Sequence, residues 1–120
     1  MKFALAIHGG AGTINRNLLT PEMEKKYHSA LRTALDAGKY CLLQGASALE
    51  AVERTVQVLE DEPLFNAGRG SVFNAYGEHE MDASIMCGKT LQAGAVAAVK
   101  QVRNPVILAR NILEDGQYVL

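Results

Sequence analysis

The sequence is short of the residues that staple a chain, anchor it or give it a dominant charge. It has two cysteines in 120 residues, Cys41 and Cys87, too few and too far apart for a disulfide framework, a zinc knuckle or a C-x-x-C redox pair. Both read as small buried apolar residues. No sign of charge dominates: 12 Lys+Arg against 13 Asp+Glu leave a formal net charge of −1. The basic residues stand singly or as the pair Lys25-Lys26, so no broad field attracts a phosphate backbone or an anionic lipid surface, and neither nucleic acid nor membrane is an expected partner. No apolar run approaches the roughly 20 residues that span a bilayer. The run Met1-Lys2-Phe3-Ala4-Leu5-Ala6-Ile7 is broken by His8-Gly9-Gly10 before a signal-peptide core can form. There is no N-x-[ST] sequon. The expected compartment is the cytoplasm.

What is present fits one globular unit: 48% of positions are hydrophobic and 21% charged, the balance of a chain that can form a core. Phe3 to Ile7, apolar and ended by glycines, reads as a short buried strand. Thr20-Pro21 supplies an N-cap followed by proline at the first helical position. Met23, Tyr27, Ala30, Leu31, Ala34, Leu35 and Ala37 then recur at helical spacing toward Leu43, where Gly45 ends the helix. Ser47-Ala48-Leu49-Glu50 is a capping-box pattern, and Ala51, Val52, Val56 and Leu59 continue a 3.6-residue period to Asp61.

After Pro63 the texture changes. Asn66-Ala67-Gly68-Arg69-Gly70 is a glycine-punctuated loop; Ser71-Val72-Phe73 has strand character, and Asn74-Ala75-Tyr76-Gly77 is turn chemistry, so a hairpin is expected. Its return, Glu80 to Cys87, sets Met81, Ala83, Ile85 and Cys87 on one face and Asp82, Ser84 and Met86 on the other. Gly88-Lys89 turns into Leu91 to Val99, whose small residues permit close packing of another layer. Asn104-Pro105 repeats the cap-plus-proline signal for a helix from Val106 to about Leu113, and Tyr118-Val119-Leu120 begins a last strand. Grouped helices and consecutive strands make the fold class α+β and argue against a doubly wound sheet.

Three segments carry candidate chemistry. In His8-Gly9-Gly10-Ala11-Gly12, glycines let the backbone turn its N–H groups toward an anion or oxyanion; a tight turn packed on a sheet explains the same residues. Nucleotide binding there has little support, because neither G-x-x-x-x-G-K-[ST] nor G-x-G-x-x-G occurs. In Leu59 to Gly70 an acidic helix end runs into an irregular loop, where free carbonyls can coordinate a hard cation, although Glu60, Asp61 and Glu62 in isolation read as a solvated acidic turn. Asn66 can orient a nucleophile or a bound carboxylate, or simply form an Asx-turn. Glu78-His79-Glu80-Met81-Asp82 has metal-ligand residue types, but strand alternation parts His79 from the carboxylates and disfavours a joint site.

Taken in order, His8-Gly9-Gly10-Ala11-Gly12, Pro63-Leu64-Phe65-Asn66-Ala67-Gly68-x-Gly70-Ser71-Val72-Phe73, Glu80-Met81-Asp82-Ala83-Ser84-Ile85-Met86, Gly94-Ala95-Val96-Ala97 and Arg103-Asn104-Pro105-Val106 resemble the N-terminal half of plant-type L-asparaginases, also called isoaspartyl peptidases. The resemblance covers almost the whole chain. It implies part of a four-layer αββα sandwich, the N-terminal nucleophile hydrolase fold, with residues 1–120 a single partial domain, incomplete without a β subunit. In that family the precursor cuts itself and assembles as (αβ)2; the new N-terminal threonine of the β subunit, with its own amine as base, attacks asparagine or the isopeptide bond of β-aspartyl dipeptides. None of Thr13, Thr20, Thr33, Thr55 or Thr90 opens the family's T-V-G-type motif, so the resemblance makes this chain an α-subunit portion, inactive alone.

Carried over position by position, Asn66 would help orient the absent threonine, and His8, Gly9 and Gly10 would line the site. A structural sodium ion would be held by main-chain oxygens of Leu59, Glu60, Glu62, Phe65, Ala67 and Arg69, with no catalytic cofactor. The alternative from another class is a non-catalytic binding or assembly module of the same fold.

Overall fold

The computed structural model describes residues 2–12 and 15–116; the expected final strand at Tyr118 to Leu120 lies outside the described residues. Helix α1 spans Pro21–Leu43. It starts where Thr20 accepts the Met23 amide on its hydroxyl at 3.2 Å, and Gly45, at φ +84°, turns the chain away past its end. Helix α2, Ala48–Asp61, opens on a complete capping box. The Glu50 amide donates to Ser47 Oγ at 3.2 Å and the Ser47 amide to Glu50 Oε2 at 2.8 Å, so two orphan donors are satisfied reciprocally. The two helices pack as a hairpin with Ala34, Gly38, Leu42, Ala51 and Thr55 buried.

A 3-10 turn at Gly68–Gly70 leads to a two-stranded antiparallel sheet of β1, Met81–Met86, and β2, Ala93–Val99. Ile85 faces Gly94, and Ala83 faces Val96, on the covered side; Ser84 pairs with Ala95 and Met86 with Ala93 on the other. The expected alternation of β1 is therefore present. A bulge between Met81 and Ala83 puts Ala98 at φ +52°. Its amide is taken by Asp82 Oδ1 at 2.8 Å instead of a ladder carbonyl. Helix α3, Pro105–Asp115, ends at Gly116 with φ +68° and lies on the covered face, where Ile85, Val96, Val106, Ala109 and Leu113 form the core. Gly94 makes that approach possible: a Cβ there would stand 2.1 Å from the Ala109 carbonyl oxygen.

Four local expectations are corrected. Phe3 to Ile7 is not a strand; no strand pairs with it among the described residues, and Leu5 instead lies against the position of Gly38. The first arm of the expected hairpin reduces to one bridge, Phe73 to His79, because the preceding amides are taken elsewhere, Ser71 by the Gly68 carbonyl and Val72 by Asn66 Oδ1. Leu91 stays outside β2 at φ +60°. Cys41 and Cys87 are half-buried free thiols where full burial was expected, Cys87 packed against the edge of the core, and the Cys87 thiol is lowered chiefly by hydrogen bonding from Thr90.

The described structure is an α+β slab, 45 × 42 × 19 Å. Its accessible surface, 8598 Å², compares with about 6300 Å² for a self-contained domain of 12.9 kDa. Among the described residues the sheet carries a helix on one face only, and Met86 and Ser84 stand on the open face.

Candidate functional site

A groove of about 550 Å³ runs between the 8–12 loop, α1 and the segment after α2, lined by His8, Gly9, Gly10, Phe65 and Asn66 among others. Its floor is built by packing. Phe65 is buried, with its ring edge-on to Tyr27 at a centroid distance of 6.1 Å. The 8–12 loop passes directly over it: a Cβ on Gly9 would stand 3.0 Å from both Phe65 Cε1 and Leu31 Cδ2. Gly10 sits at φ +106°, and its amide donates to Nδ1 of His8 at 3.0 Å. The His8 ring is thus used to shape its own loop, which is the hydrogen-bonded structural role the residue type suggests.

Asn66 is exposed on the groove. Its Oδ1 accepts the Val72 amide at 3.0 Å, which takes one of the oxygen's two lone pairs and fixes the orientation of the Nδ2 donors the side chain can offer a ligand. The bond closes the chain on itself between residues 66 and 72. Within it, the Ala67 amide donates to the Phe65 carbonyl at 2.9 Å and the Gly70 amide to the Ala67 carbonyl at 3.0 Å.

The same loop is oxygen-rich inside. A Cβ on Gly68 would meet the Glu60 carbonyl oxygen at 2.5 Å, and one on Gly70 would meet the carbonyl oxygens of Phe65 at 2.2 Å and Pro63 at 2.5 Å. Only glycine lets the main chain lie over these carbonyls. Arg69 points elsewhere, into a separate cavity of about 860 Å³ shared with Glu78, His79 and Lys100. Glu62 is the C-cap residue of α2, and its Oε1 accepts the Leu64 amide at 3.2 Å.

The side chain of Glu60 does something the sequence did not signal. It is 3% exposed, and its Oε1 accepts the Val106 amide at 3.0 Å while Oε2 accepts Nδ2 of Asn104 at 3.1 Å. A carboxylate from α2 therefore caps α3, in place of the Asn104 side chain expected there, which makes no cap bond. Burial pushes the Glu60 carboxyl up, and the bonds from Val106 and Asn104 offset this only in part. Its neighbour Asp61 is instead held below the usual range, first by its hydrogen bonds from Arg103.

The metal-type segment 78–82 disperses. Glu78 and Glu80 both pair with Lys100, Asp82 caps the bulge, and His79 Nδ1 shares a hydrogen bond of 2.9 Å with Ser71 Oγ. No helix among the described residues is long and apolar enough to cross a membrane.

Comparison with known proteins gives this geometry a family. The chain belongs to the asparaginase family, whose sequence model matches residues 1–120. It is similar to the isoaspartyl peptidase of Escherichia coli (strain K12), 46% identical over 119 residues that cover 99% of this chain and 37% of that protein. The isoaspartyl peptidase/L-asparaginase of Xenopus laevis is 47% identical over 120 residues, 100% of this chain and 37% of that protein. The plant-type L-asparaginase of Pyrococcus abyssi is 50% identical over 117 residues, 98% and 37%. The chain spans little more than a third of the length of the curated relatives it matches.

Proposed function

We propose that this chain is the α-subunit portion of an amidohydrolase that cleaves L-asparagine and β-aspartyl dipeptides, with the nucleophilic threonine on a β subunit. The carrying observation is the groove that joins His8-Gly9-Gly10 to Asn66, two segments more than 50 residues apart in sequence and the two that the family resemblance assigns to one site. The large surface and the uncovered sheet face support a partner layer, and with it the αββα sandwich; the (αβ)2 assembly is what the family resemblance implies.

In this reading the β-subunit threonine hydroxyl attacks the side-chain carbonyl carbon while its α-amine takes the hydroxyl proton. That proton then goes to the departing nitrogen, leaving an acyl-enzyme; water adds to the acyl carbon and releases aspartate. The present chain contributes orientation. With Oδ1 held by Val72, Asn66 aims its Nδ2 donors toward the nucleophile, and the Gly9–Gly10 backbone, kept low by contact with Phe65, forms one wall. Positioning of this kind is a large part of what separates an enzyme from its parts.

The loop from Leu59 to Arg69 fits a structural sodium ion, bound through main-chain oxygens of Leu59, Glu60, Glu62, Phe65, Ala67 and Arg69. Two of these carbonyls, those of Glu60 and Phe65, lie beneath Gly68 and Gly70, and main-chain oxygens are the donor type a hard cation requires. When bound, the ion would stiffen the loop that carries Asn66 and supply no chemistry to the reacting atoms.

The test is co-expression with the threonine-led segment of a relative, followed by ammonia release from asparagine and cleavage of a β-aspartyl dipeptide. The complex is expected to be active, the chain alone inactive, and Asn66→Ala in the complex to lose about 10- to 100-fold in kcat, the order of a removed orienting contact. A folded complex that hydrolyses neither substrate overturns the proposal.

A further inference from the structure

One group singled out in the sequence has no place in the reaction above: His79. It is exposed on the arm that returns from the Asn74 turn, yet it is tied on two sides. Its Nδ1 shares the 2.9 Å hydrogen bond with Ser71 Oγ, and its ring lies 4.3 Å from that of Phe73, tilted by 38°. The backbone pairs the same residues, Phe73 with His79. The turn between them is rigid, because Asn74 Oδ1 accepts the amides of Tyr76 at 2.9 Å and Glu78 at 3.0 Å, and the Asn74 amide donates to the Glu78 carbonyl at 2.8 Å.

Ser71 is the residue this arrangement holds. It is buried, and its own amide donates to the Gly68 carbonyl at 3.1 Å. The next amide along the chain, that of Val72, is the one that grips Asn66 Oδ1. His79 therefore closes a short mechanical chain: imidazole to Ser71 hydroxyl, Ser71 to the adjoining Val72 amide, Val72 amide to the Asn66 carboxamide. A serine hydroxyl can donate or accept, so either imidazole tautomer sustains the link.

We infer that His79 is a positioning residue for Asn66, acting through Ser71 and the Val72 amide. The inference rests on the function proposed above, since only there does the aim of Asn66 matter to a rate. Without the imidazole, Ser71 is held by its backbone alone, the Val72 amide leaves Asn66 more often, and the carboxamide is free to rotate.

Two measurements on the complex with the threonine-led partner test this, using His79→Val and His79→Asn. Asparagine offers a polar atom close to where Nδ1 stands, and valine does not. In the absence of substrate, hydrogen exchange at the Val72 amide is expected to quicken by about 3- to 10-fold in His79→Val, the range for loss of one hydrogen bond, and to return toward the parent rate in His79→Asn. In turnover, His79→Val is expected to lower kcat by a similar factor with KM for asparagine unchanged, and His79→Asn to recover it; lost folding would show instead as fewer active sites on titration. Unchanged exchange at Val72 overturns the inference whether or not the complex is active, so it fails separately from the functional reading. Faster exchange with an unchanged kcat overturns it too, because the link would then hold a loop that the reaction does not feel.

Discussion

Glu60 offers the sharpest test of how this chain holds its site together. Its carboxylate is 3% exposed and accepts from the Val106 amide and Asn104 Nδ2 at 3.0 and 3.1 Å. Glu60→Ala removes an N-cap acceptor worth about 0.5–2 kcal/mol and a second charge-assisted bond worth about 1.5–3 kcal/mol. Against this it relieves the burial of a charge, and Asn104 Nδ2 keeps its 3.2 Å bond to Asp61 Oδ1. The net loss is expected to be about 2 kcal/mol, or roughly 8 °C in Tm for a chain of this size. Glu60→Gln keeps an acceptor for Val106 but sets a second amide NH2 against that of Asn104, so it should cost about 1 kcal/mol, one neutral hydrogen bond.

The pH dependence of Glu60 has a definite sign. Because burial raises its folded pKa above the ordinary 4.5, the native state binds that proton more tightly than the unfolded chain. Its contribution is therefore full below 4.5 and is lost as pH rises through the folded value, a negative slope of stability with pH in that window. Glu60→Gln should remove this negative component and leave the opposite slope of the carboxyls held low, such as Asp61. Urea unfolding followed by circular dichroism across that range checks both points. If Glu60→Ala costs less than about 0.5 kcal/mol, the level of an ordinary surface change, and the negative component survives in Glu60→Gln, the carboxylate is not the cap of α3.

Two substitutions probe the close approaches elsewhere. Gly94→Ala should cost about 3 kcal/mol or more, at the upper end for overpacking, because its Cβ would meet main-chain atoms, the Ala109 oxygen at 2.1 Å and the Leu113 nitrogen at 2.5 Å; Ala97→Ser, on the same strand and exposed, should fall within about 0.5 kcal/mol of the parent, and equal urea midpoints for the two would refute the packing argument. Gly38→Ala sets a helix-propensity gain of about 1 kcal/mol against a Cβ only 2.1 Å from Thr55 Oγ1, so it should destabilise as a single change and recover in the double variant with Thr55→Ala, and additive effects in that cycle would show that the two sites do not touch.

Elements whose cause is local were legible in the sequence. Thr20-Pro21 and the Ser47–Glu50 box act within four residues of themselves, and both helices start where those residues say. The alternating faces of β1 followed from period two, and the close packing allowed by small residues in β2 came down to one of them, Gly94. What failed was nonlocal. Phe3 to Ile7 has the composition of a strand, but a strand exists only against a neighbour, and composition does not say whether one is there. Asn104-Pro105 has the residues of a cap and start, yet the cap came from Glu60, more than 40 positions away, and no spacing rule reaches that far.

The candidate site divides in the same way. Gly9, Gly68 and Gly70 stand where the main chain passes close to something, and Gly10 where it takes a positive φ; the sequence marked all four only as loop glycines. The objects turned out to be Phe65 and Leu31 under Gly9, and the carbonyls of Glu60, Pro63 and Phe65 under Gly68 and Gly70. Phe65 and Asn66 are adjacent, so one faces inward to carry the 8–12 loop and the other outward onto the groove. Glu60 anchors the start of this segment to α3 and His79 anchors its end through Ser71. Asn66 is thus an exposed side chain on a loop held at both ends by side chains from other parts of the chain. A loop residue fixed in that way is suited to orienting a reacting group it does not itself supply, and this is why the anchors, more than the groove residues, are where the functional reading is most exposed to experiment.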